Sequence, residues 1–231
     1  SGGFKSDIQF RPSATGTNIS SLSITSAQGD VSISDATQGN VTFRQETFLF
    51  SDRLISLTAR DGQSIVFEQG ASFTSRSGNN GGAISFTAVD DPAVAGTPGS
   101  ITVTGNLLLN AAGVATNIGS TSGGTIAFNL EGGSINIGST LGIDVSATGR
   151  SGTVISGLAV AGGVSTPVIG NGSGGTVLMN LGDGNFSAGA ITVNASGTGG
   201  AFGSQSGGTG TGGTINITKT GTSIVNLNSL T

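Results

Sequence analysis

A glycine lead-in followed by two apolar residues around one spacer recurs through this chain, and it limits the fold more than any other feature. Residues 122–138 read SGGTIAFNLEGGSINIG, so Gly124-Thr-Ile-Ala-Phe128 is followed nine residues later by Gly133-Ser-Ile-Asn-Ile137. Related lead-ins stand at Gly82, Gly99, Gly175, Gly189 and Gly213. Upstream, Leu22-Ser-Ile24, Val31-Ser-Ile33, Val41-Thr-Phe43, Phe48-Leu-Phe50, Ile55-Ser-Leu57 and Ile65-Val-Phe67 show the same triplet. Apolar, spacer, apolar is the period of a strand with one buried face.

From Leu22 to Ile65 these triplets follow one another closely, whereas several later lead-ins are much more widely spaced. The short spacing fits a sandwich or barrel. Near-identical strands at a fixed longer interval fit a repeat architecture. The repeat reading is preferred: an all-β parallel β-helix (β-solenoid) with coils of about 20 residues and uncapped ends. The nine-residue spacing then marks two sides of one coil. Gly152-Thr-Val-Ile155 is assigned as a further coil strand in the gap from Gly133 to Gly175. The glycine pairs are expected where the chain turns with φ > 0. Only Asn106 to Thr116 has local helix propensity, and Gly113 weakens it.

Composition sharpens this. The 231 residues include 43 Gly, 9% charged and 35% hydrophobic residues, against a typical ~7% Gly and ~25% charged. Disorder requires low hydrophobicity with high net charge, and the net charge is only −4. Eight Lys and Arg without a basic run argue against nucleic acid. No apolar run reaches the ~18 residues of a membrane span. The absence of Cys fits an exported bacterial protein without disulfides, and fits a cytosolic protein as well. The start at Ser-Gly-Gly reads as a processed form or a fragment.

With no His or Cys, triad, thiol and imidazole-metal chemistry are excluded, and no cofactor or metal is expected. A carboxylate-based lyase would have to use Asp52, Arg53, Arg60, Asp61, Asp90 and Asp91. A charged edge that discourages wrong strand pairing explains them better. The two G-x-G-x-x-G matches, 170–175 and 208–213, run into strands rather than opening a helix, so they are not dinucleotide sites. Gly182-Asp-Gly-Asn185 is one copy of a calcium-roll-like pattern and no array. Sugar binding by Trp or Tyr is unavailable to this chain, and Phe43, Phe48, Phe50, Phe67, Phe86 and Phe128 are assigned to the core. Asp90 to Gly99 is expected to form a projecting loop.

The stretches SGGTIAFNL, GGSINIGS, GSGGTVLMNLGDG and GTGGTINIT resemble the repeat body of bacterial surface β-helix proteins. These are the filamentous-haemagglutinin-like exoproteins and autotransporter-type passengers. The resemblance spans roughly residues 80–220, and the Asn-Pro-Asn motifs of the haemagglutinin secretion domain are absent. It implies a right-handed parallel β-helix, exported to the bacterial surface or beyond, acting in adhesion, biofilm or a surface fibre.

Residues 1–20 are expected to form an arm that a neighbouring subunit can accept, ahead of a solenoid over 21–231. That solenoid is richer in charge and Phe up to Asp91, and in Gly, Ser, Thr and Asn beyond it. The assembly strands carry Phe4, Ile8, Phe10, Ile224, Val225 and Leu227. At ~4.8 Å per coil the rod would be roughly 50 Å long. The expected function is a non-enzymatic, self-assembling subunit of a fibre or biofilm matrix, with other copies of itself as partners. A β-helical adhesin that binds host cells, glycans or matrix components is the alternative, and a polysaccharide lyase the remote one.

Overall fold

The computed structural model describes residues 8–10, 17–19, 23–27, 31–34, 40–90, 97–156, 164–201 and 207–231. The protein is all-β, its main sheets are parallel, and no helix occurs among the described residues. A first ladder takes Ile8–Phe10, Val31–Ser34, Leu54–Ala59, Ala83–Val89, Thr125–Glu131, Thr176–Leu181 and Thr214–Lys219, in chain order. A second takes Thr17–Ile19, Val41–Phe43, Ser64–Phe67, Ser100–Val103, Ser134–Ile137, the start of Asn185–Asn194, and Ile224–Leu230. A third takes Ser23–Ala27, Thr47–Ser51, Ala71–Ser77, Leu107–Asn110, Leu141–Asp144 and the end of Asn185–Asn194. That last strand joins the second and third ladders into one sheet. Thr125–Glu131 and Ser134–Ile137 therefore belong to two ladders of one pass, as their nine-residue spacing suggested.

Pass length is neither constant nor as short as expected. Ile8, Val31, Ile55, Ile84, Ile126, Val177 and Ile215 are register partners on successive passes. The pass from Ile8 to Val31 is the shortest of these, each later one is longer up to that from Ile126 to Val177, and the last is shorter again. All exceed the expected coil of about 20 residues. Seven passes at ~4.8 Å make the first ladder only about 29 Å long. Gly152–Ser156 is not a rung of any ladder. It pairs antiparallel with Val164–Val168 as an inserted hairpin, so the expected extra coil does not exist. Most of the expected loop, residues 91–96, lies outside the described residues.

Alternate side chains of all three ladders join one hydrophobic cluster. Ile55, Ile84, Ile126 and Val177 form one in-facing row of the first ladder, each at most 1% exposed. A chain of rings runs through the cluster, along and between passes: Phe43–Phe67 at 4.7 Å, Phe67–Phe73 at 5.6 Å, Phe73–Phe86 at 5.9 Å, Phe86–Phe128 at 5.1 Å and Phe128–Phe186 at 5.7 Å. Those separations suit offset or edge contacts, which add to the burial of the rings.

Two sequence expectations fail here. Phe48 and Phe50 are not core: Phe48 is 46% exposed and Phe50 half-buried, while Thr47 and Ser51 on the same strand point inward at 0%. The strand must alternate, and Leu49 at 2% exposed fixes which face is inside. The glycine pairs are not positive-φ turns as a class. Gly62, Gly132, Gly184 and Gly221 do have φ of 72°, 94°, 109° and 73°, all where the chain passes from first to second ladder. The pairs Gly81-Gly82, Gly123-Gly124, Gly174-Gly175 and Gly212-Gly213 have none. They bring the chain back into the first ladder, and close approach of backbones selects every one of these glycines except Gly212. A Cβ on Gly81, Gly123 or Gly174 would overlap the carbonyl oxygen of Ala111, Val145 or Ala195.

The second glycine of each pair closes the pass. Gly82 N–H donates to Ser75 O at 2.9 Å, Gly124 to Ala111 at 2.7 Å, Gly175 to Val145 at 2.6 Å and Gly213 to Ala195 at 2.6 Å. Beyond this closure the later passes extend outward as two short ladders. The outgoing one holds Gly113–Val114, Ala147–Thr148 and Gly197–Thr198, and the returning one Thr121–Ser122, Gly172–Ser173 and Gly210–Thr211.

Gly123→Ala should lower stability by about 1–3 kcal/mol, the usual cost of forcing atoms into a packed site. Gly212 has nothing within 4 Å of a built Cβ, so Gly212→Ala should be neutral within about 0.5 kcal/mol. Phe86→Ala should cost about 3–5 kcal/mol. Urea unfolding of the three variants checks all of this.

Candidate interaction surfaces

Parallel register places like positions one above another on the outer surface as well as in the core. On the third ladder Phe48, Ser72, Leu108, Gly142 and Thr192 form one outward row. Phe50, Thr74, Asn110, Asp144 and Asn194 form the next. Gly142 leaves a gap in the first row, and Leu108 leans across it, its Cδ2 within 2.9 Å of where a Cβ would stand. The result is a furrow of about 330 Å³ lined by Ser72, Thr74, Leu108, Asn110, Asp144 and Thr192. Asn110, Asp144 and Asn194 each begin an Asx turn, accepting the N–H of Ala112, Ser146 and Ser196 at 3.0, 3.0 and 3.2 Å. On the first ladder a second hollow, about 360 Å³, lies beside Asn129 and Asn180, whose amides are bonded at 2.9 Å.

Side-chain oxygens also tie successive passes together at the corners. Asn40 Oδ1 accepts Ser64 N–H at 2.9 Å, Asn80 Oδ1 accepts Ser122 N–H at 3.0 Å, Asn106 Oδ1 accepts Thr140 N–H at 3.2 Å, and Asn171 Oδ1 accepts Thr209 N–H at 2.8 Å. Asp183 does the same for the last pass, taking Thr222 N–H at 2.8 Å and Thr222 Oγ1–H at 2.9 Å. The backbone donor, and then the hydroxyl, hold the Asp183 carboxyl below its ordinary value of 3.8.

The last pass is the other candidate surface. Thr214–Lys219 and Ile224–Leu230 pair with the preceding pass along one edge, and no further rung follows among the described residues. Ile215, Ile217, Ile224 and Leu230 are 46%, 45%, 57% and 52% exposed. Of the expected assembly residues, Ile224, Val225 and Leu227 face Asn185, Phe186 and Ala188 in register. Ile8 and Phe10 are paired within this chain, with Val31 and Ile33, and Phe4 lies outside the described residues.

Arg53 and Arg60 flank Leu54–Ala59 at its two ends, so that strand separates them by about 20 Å. Asp90 follows Ala83–Val89, and Asp91 lies outside the described residues. Among the described residues no three metal-ligating side chains come together, and no helix is long and apolar enough to cross a membrane. No protein family, curated protein or solved structure matches the chain.

If the Asp183 bond fastens the last pass, its contribution is complete above the ordinary carboxylate range and is lost as pH falls through the depressed folded value. The protection factor of the Thr222 amide, its exchange relative to the unfolded chain at the same pH, should therefore fall below about pH 4. Asp183→Asn keeps the acceptor and should remove that pH dependence. An unchanged protection factor in acid would show that the bond does not hold the pass.

Proposed function

We propose that the chain is a parallel β-helix serving as a non-enzymatic structural element, exported to a bacterial surface or extracellular matrix, whose copies join end to end. The observation that carries this reading is the in-register stacking of like strands, each of which can accept another on an unpaired edge. Ile126 and Phe128, in the middle of the first ladder, are 0% exposed. Their register counterparts on the last rung, Ile215 and Ile217, are nearly half exposed. Unpaired strand edges with apolar side chains favour another rung. Continuing the register places Ile8 and Phe10 of a second copy over Ile215 and Ile217, the relation that Ile8 and Phe10 already have to Val31 and Ile33.

Lys219 makes that joint selective. It takes the in-facing register position of Ala59, Ala88, Leu130 and Leu181. An inward charge at an edge penalises any added strand that cannot accommodate it. Export and the surface location rest on the cysteine-free, Gly-rich, weakly charged composition and on the repeat style.

The chain should form longer particles as its concentration rises, by sedimentation velocity and negative-stain microscopy. Ile217→Glu should abolish that growth, and Lys219→Leu should strengthen it. Particles of a single size at every concentration, in all three proteins, would sink the proposal.

A further inference from the structure

We infer that the outer surface of the third ladder, from Phe48 to Thr192, binds a carbohydrate chain. The first support is the inverted strand Thr47–Ser51. Its two hydroxyl residues are fully buried and its two phenylalanines face out. Burying a Phe side chain is worth about 1.5–3 kcal/mol, so this strand forgoes stabilisation that the rest of the molecule collects. Register slippage does not account for it. Thr47 N–H is fixed on Gly70 O at 3.1 Å, and Ser51 Oγ accepts Arg53 N–H at 3.1 Å.

The second support is the chemistry beside those rings. The furrow runs across the strands and begins one rung from Phe48 and Phe50, at Ser72 and Thr74. Along it the apolar Leu108 lies next to the hydrogen-bonding groups of Thr74, Asn110, Asp144 and Thr192. The Asx turns use one oxygen each of Asn110 and Asp144. The Asn110 amide nitrogen and the other Asp144 oxygen remain to meet a ligand, a donor and an acceptor as sugar hydroxyls require. Aromatic and aliphatic faces suit the apolar side of a pyranose ring. No Lys or Arg lines the furrow, so an anionic ligand would lack its counter-charge.

The third support is direction. From the rung of Phe48 to that of Thr192 the surface covers five rungs, about 19 Å at ~4.8 Å per rung, which suits a linear oligomer. An extended peptide would instead add to a strand edge through its main chain. The middle strands of this face have both edges occupied, so only side chains are offered.

The test is titration calorimetry of the purified chain with cellohexaose, maltohexaose, laminarihexaose and chitohexaose. At least one should bind. Phe48→Ser, which removes a ring, and Thr192→Arg, which fills the furrow from another pass, should each weaken it by about tenfold or more. Ser85→Arg, on the outer surface of the first ladder, should leave binding unchanged, and unaltered thermal unfolding of all three shows that the fold persists. Absence of binding to all four sugars overturns the inference, as does binding that neither furrow variant weakens. Phe48 lies on a pass remote from Ile224–Leu230, so sugar binding by Phe48→Ser and end-to-end growth succeed or fail separately.

Discussion

Parallel, in-register pairing of backbone groups between passes is the constraint on which everything else in this molecule depends. Each inner strand gives its N–H and C=O groups to the passes on either side, and consecutive register partners hold without shift from Leu54–Ala59 through Thr214–Lys219. A side chain placed inward on one pass is therefore inward on the next. The core becomes a set of rows rather than a collection of individual contacts. Two of the ring contacts follow from that: Phe67 stacks on Phe43 and Phe128 on Phe86 because they are register partners and the rung spacing is near the ring-contact distance.

The same constraint dictates where the chain can vary. The path from the in-facing residue of the first ladder to that of the third is nearly constant in length, as Val31 to Thr47, Ile55 to Ala71, Ile126 to Leu141 and Val177 to Ile191 show. The loop after Val89 makes the corresponding Ile84 to Leu107 longer. The return from third to first ladder varies far more. It lengthens at each step from Thr47 to Ile55, Ala71 to Ile84, Leu107 to Ile126 and Leu141 to Val177, then shortens from Ile191 to Ile215. Growth on that side is tolerated because a glycine N–H and an alanine or valine carbonyl seal the pass before the extension leaves it. Beyond the seal, chain length costs only slowly rising loop entropy. The extension itself demands glycine: a Cβ on Gly172 would overlap Thr198 O, and one on Gly197 would overlap Thr211 O.

That division explains what can be read in the sequence. The period-2 triplets are legible because burial on one strand face leaves a binary trace that needs no partner. The assignment of residues 122–138 to two ladders of one pass is legible from spacing alone. Pass length is not, since the extensions that lengthen it carry the same Gly, Ser and Thr as the corners. Gly152-Thr-Val-Ile155 has the triplet of a rung and pairs antiparallel instead, because its partner, Val164–Val168, follows it closely in the chain. The glycine pairs stand where the sequence puts them but for a different reason: positive φ is a local property, whereas contact with Ala111 O or Val145 O depends on residues far along the chain. Phe48 and Phe50 are misread for a similar reason, since Thr-Phe-Leu-Phe-Ser alternates equally well in either sense. The signal is the hydroxyls at both ends, which bond backbone at the turns.

Stacked register also accounts for the low charge. Residues in one outward row stand about 4.8 Å from their counterparts above and below. Repeating an ionised residue down a row would place like charges at that distance, where they repel. Amides and hydroxyls can repeat because each is both donor and acceptor. Asn129 and Asn180 pair at 2.9 Å, as do Asn136 and Ser187. The charged residues of the later passes occur singly: Asp144 stands between Asn110 and Asn194, Glu131 opposite Val89, and Lys219 over Leu181. An outer surface built this way offers shape and hydrogen-bonding groups rather than a field, which is what the proposed carbohydrate ligand would require.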